Sequence, residues 1–583
     1  MDTNYPYSTD EYRDYFRHTL WMIPGVKEGR ALEKLLLKHP VFKNFKIVNV
    51  AGAPDKDLDK ELAHEKTALD KLHKAIGKNP ENSYTITISC GRLTTGVTVP
   101  EWTAVLMLAG SYVTDAKQYL QTIFRVQSPA NINGKIKENC YVFDFAPDRT
   151  LRVVHDAVKK MSVKRVPPIS IEKLMGAFLN FCPVIALDSS AMIEYKAEQL
   201  LQEIKRVYAE RVVDSGFEDS KLYNDELMRL DGLELEKFEK LQKIIGQTKQ
   251  TKRPGEVNVA DNGLTDEQYE ELEKLKKKPK KKLTAEDKKR LEELRKLRNQ
   301  KNTAISILRG ISIRIPLLVY GLDKDIDFDI KIDEFADLVD DNSWAEFMPE
   351  GVTKAIFKDF VKYYDKDIFI ASCRKIRAIS KQCDDLEPTE RIKQLVKLFN
   401  RFKNPDKETV LTPWNVVNLH MSETIGGYDF FDDTHERDHL LDEPRFTQVD
   451  LTKDEVLNKD SHVLEINSKT GLYPLYVSYS IYRKFLETID ESKRTFDEKL
   501  KIWDRVVDEN VFVVCKTKMA KLITKRTLVG YRDKKINSHT FDDLIMQFKE
   551  KPEKFVAKIE NPAFWGKGGK KMKFNAVVGN PPY

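Results

Sequence analysis

At 583 residues the chain has room for three or four domains of roughly 150 residues each. Its 41% hydrophobic and 33% charged residues are the balance of a globular protein with a highly charged surface. With 98 basic against 92 acidic residues the net charge is +6, which permits an anionic partner without demanding one. Cys90, Cys140, Cys182, Cys373, Cys383 and Cys515 are scattered without a CxxC pair and read as buried or incidental thiols in a reducing compartment, not a disulfide or zinc framework, and no metal is expected. No uninterrupted run reaches 18 apolar residues, and Met1-Asp2-Thr3-Asn4 lacks the basic-then-apolar start of a signal peptide. A cytoplasmic protein without a membrane partner is the expectation.

Taken in order, Thr19–Pro24 reads as a strand, followed by Gly25 and a helical pattern through Ala31, Leu32, Leu35, Leu36 and Leu37. Phe45–Val50, Tyr84–Ser89 and Ala104–Leu108 are further strands. Strand alternating with helix signals a parallel α/β sheet. Gly91-Arg92-Leu93-Thr94-Thr95-Gly96, Val99-Pro100, Gln121–Arg125 and a strand at Cys140–Phe145 complete the region. In this order and spacing, residues 1–165 resemble the second RecA-like lobe of superfamily 2 helicases and translocases. The resemblance implies that Arg92, Thr94 and Thr95 grip the DNA backbone, and that Gly96, Gln121 and Arg125 sense ATP held on another lobe. Arg125 suits an arginine finger because a guanidinium offers planar, permanently charged, bidentate contact to phosphate. Thr98 stands where helicases usually have an acid, and Ser128 where they often have a second arginine. A GxxxxGK(S/T) loop does not occur, and Gly566–Lys570 fails its spacing. ATP with Mg is therefore expected only in a full-length protein with its first motor lobe, and no ATP hydrolysis from this chain alone.

Residues 166–404 read as helical, at Ile171–Leu179, Ala191–Val213 and Asp225–Ile245. A charged helical hairpin near 265–302 is broken at Pro279 and carries a narrow stripe of Leu272, Leu275, Leu291, Leu294 and Leu297. Its run Lys276–Lys282 reads either as a DNA-backbone contact or nuclear signal, or as a solvated tip; both stay open. Ala304–Tyr320 reads as a buried element returning to the first lobe, with Asp323–Asp341 as its solvent-facing continuation. Helices follow near 352–364, 369–381 and 389–402. The whole resembles the helical coupler between motor and methyltransferase in fused restriction enzymes.

The last region, 405–583, carries three signals. Thr412-Pro413 opens a helix as a cap and a first-turn proline, leaving backbone N–H groups for a carboxylate. From His462 a strand ends in the acid Glu465, and Asn467 and Gly471 shape a tight turn into a helix. Lys469 stands where most relatives have glycine. Finally Ala576–Val578 is a strand that runs into Gly579-Asn580-Pro581-Pro582-Tyr583. Asn-Pro-Pro-Tyr after an apolar strand resembles the catalytic motif of DNA N6-adenine methyltransferases, and the two earlier signals resemble their S-adenosylmethionine site. The resemblance implies that Asn580 and Pro581 hold the target amine, with Pro582 in the same turn, and that Tyr583 stacks on a flipped adenine. It also implies that Thr412, Pro413, Glu465, Asn467 and Gly471 bind the cofactor. Either Asp508 or Glu509 is a candidate for the cofactor ribose, and nothing in the spacing selects between them. The long stretch from Glu465 to Asn580 is expected to contain an insertion.

Together these features resemble ATP-dependent restriction–modification polypeptides that fuse a helicase-like motor to an N6-adenine methyltransferase. The fold class implied is α/β: a RecA-like lobe, a helical coupler and an incomplete Rossmann-like methyltransferase domain. The partners implied are double-stranded DNA, a first RecA-like lobe, the remaining methyltransferase strands and a target-recognition domain. Without these the chain is expected to be inactive and poorly behaved at its C-terminus. The other reading is a motor-associated DNA-binding protein with a vestigial methyltransferase half.

Overall fold

The computed structural model describes residues 7–51, 58–90, 98–108, 116–132, 134–145, 173–177, 185–188, 191–194, 196–224, 238, 241, 271–272, 275, 284–403, 411–452, 455–541 and 543–579. They fall into two compact units, 1–207 with 251–259, and 208–250 with 260–583.

The first unit is built on β1 (His18–Met22), α1 (Val26–Leu36), β2 (Lys46–Asn49), α2 (Leu58–Ile76), β3 (Thr85–Ser89), β4 (Ala104–Met107), α3 (Ala116–Ile123) and β5 (Tyr141–Asp144). The strands pair in the order β2-β3-β1-β4-β5, all parallel. Every residue of β1, β3 and β4 is buried, as a sheet covered on both faces requires. Leu20 and Met22 pack with Leu72 and Trp102 on one face, while Trp21 and Ile23 pack with Ile86 and Leu106 on the other. The expected parallel sheet is therefore present, strand by strand. One expectation beyond it fails: Ala191–Glu194 is not the start of a helix but pairs antiparallel with Ile185–Asp188, and the helix begins only at Ala197. Cross-strand pairing overrides helix propensity there.

The second unit carries α4 (Ala285–Ser312), α5 (Ile315–Gly321), α6 (Asp341–Phe347), α7 (Lys366–Gln382), α8 (Pro388–Arg401) and α9 (Trp414–Thr424). After them come β6 (Val463–Ser468), α10 (Leu472–Glu487), α11 (Phe496–Glu509), β7 (Val511–Cys515), α12 (Lys518–Val529), β8 (Asn537–Thr540) and β9 (Ala576–Gly579). The sheet order is β8-β7-β6-β9, again all parallel. The chain steps outward from β6 through β7 to β8, then returns to pair β9 on the other side of β6. That makes the β6/β9 seam a topological switch point, where open α/β sheets bind ligands at the carboxyl ends of their strands. The stretch from Glu465 to Asn580 holds β7 and β8, with two helices between β6 and β7 and helices Leu544–Glu550 and Pro552–Ile559 before β9.

The apolar run at α5 lies in this second unit and packs against α12. All seven residues of α5 are buried, and a Cβ on Gly321 would lie 2.4 Å from Ile523 Cγ1 and 2.8 Å from Met519 Sδ. The stretch 285–321 contains a window long and apolar enough to cross a membrane, and that window is wholly buried in protein. Leu272, Leu275 and Leu294 cluster with Leu291 and Leu297, as the leucine stripe implies; Lys276–Lys282 and Pro279 lie outside the described residues. Two buried arginines lock the helices together. Arg377 donates to the carbonyls of Lys324 and Phe328, and Arg391 of α8 donates to those of Thr527 and Arg526 at the end of α12, at 2.8 and 3.1 Å.

Candidate functional site

Glu465 sits mid-strand in β6, not at its end, because the strand continues past an irregularity at Ile466 to Ser468. Its neighbours are Val513 of β7 and Val578 of β9, so it straddles the switch-point seam. The residue is 6% exposed and its Oε2 is buried without a hydrogen-bond partner. Burial pushes its pKa from 4.5 up to about 8, with a hydrogen bond from Ser468 pulling the other way. Charged carboxylates are not buried unpaired without a cost of several kcal/mol, so the acid is protonated at neutral pH until a cation reaches it.

The turn beyond Glu465 has the shape expected of a close-approach loop. Asn467 has φ +67°, a left-handed conformation that asparagine tolerates better than most residues. Gly471 caps α10 with φ +75°, and a Cβ there would stand 3.0 Å from Thr524 Cα. Two hydroxyl contacts fix the loop to α12: Ser468 Oγ to Thr524 Oγ1 at 3.0 Å, and Thr527 Oγ1 donating to the Thr470 carbonyl at 2.7 Å. Glu465, Asn467 and Gly471 therefore converge on one edge of the sheet, and Lys469 is half-buried among them.

The other expected cofactor residues fare differently. Pro413 itself takes the cap position of α9, without a side-chain cap bond, so Thr412 is one residue outside the helix. The helix meets the first turn of α10 through His420 Nδ1 and Tyr473 Oη at 3.0 Å, while Trp414, next to Pro413, stacks toward Tyr476 one turn further on. Asp508 and Glu509 precede β7 and so stand at the amino ends of the strands. Asp508 accepts from Lys567 at 2.9 Å and Glu509 from Arg505 at 2.7 Å. Neither is placed to serve a ligand at the carboxyl edge. A cavity of about 260 Å³ lined by Phe446, Leu457, Asn458, Lys459 and Lys484 also opens at the amino end of β6. It is remote from the Asn467–Gly471 turn. Asn580, Pro581, Pro582 and Tyr583 lie outside the described residues; the last described pair is Gly579 with Ile466.

In the first unit, Arg92, Thr94, Thr95 and Gly96 lie outside the described residues. Gln121 is in the last turn of α3 and Arg125 in a one-turn 3-10 helix, Phe124–Gln127. Sequence reasoning missed the residue that ties this segment to Val99-Pro100. Lys137 Nζ donates to the carbonyls of Pro100, Trp102 and Val126 at 2.8, 3.1 and 2.9 Å. Burial lowers its pKa. A lone lysine just after the short strand Lys135–Ile136 carries no sequence signal of this role.

The family match falls on the C-terminal part of the second unit. Residues 509–583 match the family described as Eco57I restriction-modification methylase. A curated relative from Mycoplasma pneumoniae (strain ATCC 29342 / M129 / Subtype 1), the putative type II restriction enzyme and methyltransferase RM.MpnORF110P C-terminus, is 36% identical over 151 residues. That match takes in 25% of this chain and 20% of the relative, so the chain spans about a fifth of the curated protein it matches. Among solved structures, the ATP-dependent Type ISP restriction-modification enzyme LlaBIII bound to DNA aligns over 97% of this chain and 34% of its own, at 11% identity and a TM-score of 0.23. A nuclease-deletion mutant of the Type ISP enzyme LlaGI, in complex with a DNA substrate mimic, aligns over 88% of this chain and 38% of its own, at 13% identity and a TM-score of 0.17. The likeness to restriction–modification methylases is thus borne out, by the family match over residues 509–583 and by the curated relative.

The charge state of Glu465 gives a pH prediction. Its pKa is raised on folding, so the folded state binds the proton more tightly than the unfolded chain. Stability is then expected to fall between pH 4.5 and about 8, with a slope of up to about 1.4 kcal/mol per pH unit from this group. Denaturant unfolding of Glu465→Gln should be flatter over that window; an identical profile would show that the group does not titrate there.

Proposed function

We propose that the chain is part of a restriction–modification enzyme that methylates adenine N6 in DNA with S-adenosylmethionine, and that the first unit belongs to its ATP-dependent DNA-translocating motor. The single observation that supports it most is Glu465, a buried acid with an orphaned oxygen at the switch point, followed by a left-handed turn held against α12. The residues fit this cofactor. Its ammonium satisfies Glu465, and the Asn467–Gly471 backbone lets the methionine moiety approach closely. When bound, the cofactor supplies a methyl group on a sulfonium, an electrophile that needs neither a metal nor a covalent enzyme intermediate.

The rest falls to the chain. The adenine amine is a poor nucleophile because its lone pair is delocalised into the ring. The Asn580 side-chain oxygen and the Pro581 carbonyl accept its hydrogens and bias the nitrogen toward tetrahedral geometry. Pro582 stiffens the turn, and Tyr583 stacks on the base once it has left the duplex, offsetting the few kcal/mol lost in unstacking. In the motor, Arg125 would reach a nucleotide on the partner lobe, with Lys137 fixing the segment that carries it.

The test is transfer of labelled methyl groups from S-adenosylmethionine to unmethylated duplex DNA by the native protein. Label is expected on adenine N6 and is expected to vanish with Asn580→Ala. Label on cytosine, or on adenine regardless of Asn580, would refute the assignment.

A further inference from the structure

Rossmann-type sites usually hold the ribose of their cofactor with an acid at the end of the second strand. In this sheet that strand is β7, and it ends in Cys515-Lys516-Thr517 with no acid. A carboxylate is nevertheless present at that place, brought by a different part of the chain. Helix α6 is sewn to the start of α12. Asp340 caps α6 by accepting from Ser343 N at 3.0 Å, and Ser343 Oγ accepts from Met519 N at 3.0 Å. Three residues on from Ser343, Glu346 accepts a hydrogen bond on Oε2 from Thr517, the residue that caps α12 immediately beyond β7. Its other oxygen, Oε1, is buried and has no partner.

The second strand over, Glu465 likewise presents an unpartnered Oε2 in a residue that is 6% exposed. Cys515 lies between the two acids: it pairs with Ser468 of β6, and both Glu465 and Glu346 act on its thiol electrostatically. Two acids with one unpartnered oxygen each, one on β6 and the other hydrogen-bonded to the residue just beyond β7, ask for a ligand with two separate groups of donors. S-adenosylmethionine has two such groups, an ammonium and a pair of ribose hydroxyls.

We propose that Glu346, carried by the helical segment, holds the ribose hydroxyls of the cofactor at the carboxyl end of β7. The role rests on the reading of this sheet as a methyltransferase site. It also explains why α6 is fastened to α12 by side chains at both of its ends: the acid that the strand lacks must be held in place by the helices. Glu346 is a positioning residue for the ligand and takes no part in methyl transfer.

The test is calorimetric titration of the chain with S-adenosylhomocysteine and with its analogue lacking both ribose hydroxyls. For the wild type the analogue is expected to bind about 10- to 100-fold more weakly, the worth of a hydrogen bond to a charged group. Glu346→Gln keeps the shape and the Thr517 contact, and is expected to weaken the intact ligand by a similar factor while leaving the analogue unchanged. Equal weakening of both ligands, or of neither, would overturn the role of Glu346 while leaving the site intact. Wild-type protein that binds neither ligand would overturn the methyltransferase reading itself, and this inference with it. Should Glu346→Gln fail to fold, the two ligands on wild type still decide, because equal affinities for them leave no hydroxyl acceptor.

Discussion

Glu465→Gln is expected to weaken S-adenosylmethionine binding by about 10- to 100-fold, since the cofactor ammonium loses a charged acceptor worth roughly 1.5–3 kcal/mol. The same change should not destabilise the unliganded chain. Gln removes a carboxyl whose raised pKa costs the wild type stability as pH rises from 4.5 to about 8, so the variant is expected to gain on the wild type across that window and to keep the gain above it. A residue that only supports the fold would behave the opposite way, losing stability with its binding. Ligand binding is also expected to release close to one proton at pH 7, because a cation beside Glu465 favours its ionised form. Titrations in buffers of different ionisation enthalpy measure this directly. Proton uptake, or none, would remove Glu465 from the ammonium site.

Gly530→Ala is expected to cost about 3 kcal/mol or more, from a strained backbone and a displaced buried acid together. Gly530 ends α12 with φ +67° and ψ −142°, a conformation that residues with a Cβ rarely adopt. A Cβ there would lie 1.7 Å from Asp384 Oδ1. Asp384 cannot move freely: its side chain is 3% exposed, it accepts from Tyr531 N at 2.8 Å, and it neutralises the buried Arg391 at 3.9 Å. Arg391 in turn holds α8 to the end of α12, so the clash propagates to the seam that keeps the helices on the second sheet. Gly566→Ala is the control. Its φ is +69°, but nothing lies within 4 Å of the added atom, so only the backbone strain of about 1 kcal/mol is expected. Equal losses for the two variants in denaturant unfolding would show that the Asp384 contact is not what makes Gly530 special.

Much of the sheet architecture was legible because buried parallel strands are apolar on both faces. Thr85–Ser89, Ala104–Met107 and Val511–Cys515 are buried at every position, and each announces itself as a short β-branched or aliphatic run. Strand β8 did not, since Asn537-Ser538-His539-Thr540 has no such run. It is held instead by pairing along Phe512–Cys515 and by the Asn537 amide, which donates to the Val511 carbonyl at 3.0 Å. Helix α2 was hidden for a related reason: its buried positions, Ala68, Leu72 and Ile76, are few and sit among charges. In the proposed site, the acid and the glycine turn could be read from the sequence because that chemistry calls for particular residue types close together. The place of Glu346 could not, because it depends on how α6 docks on α12, and nothing near it in sequence records that contact.

Whether the carboxyl edge of the second sheet holds the cofactor is decided by titrating the wild-type chain with S-adenosylmethionine. One site is expected, displaced by S-adenosylhomocysteine, indifferent to ATP, and weakened by Glu465→Gln. Binding that ATP displaces, or binding equally strong in Glu465→Gln, would contradict the account.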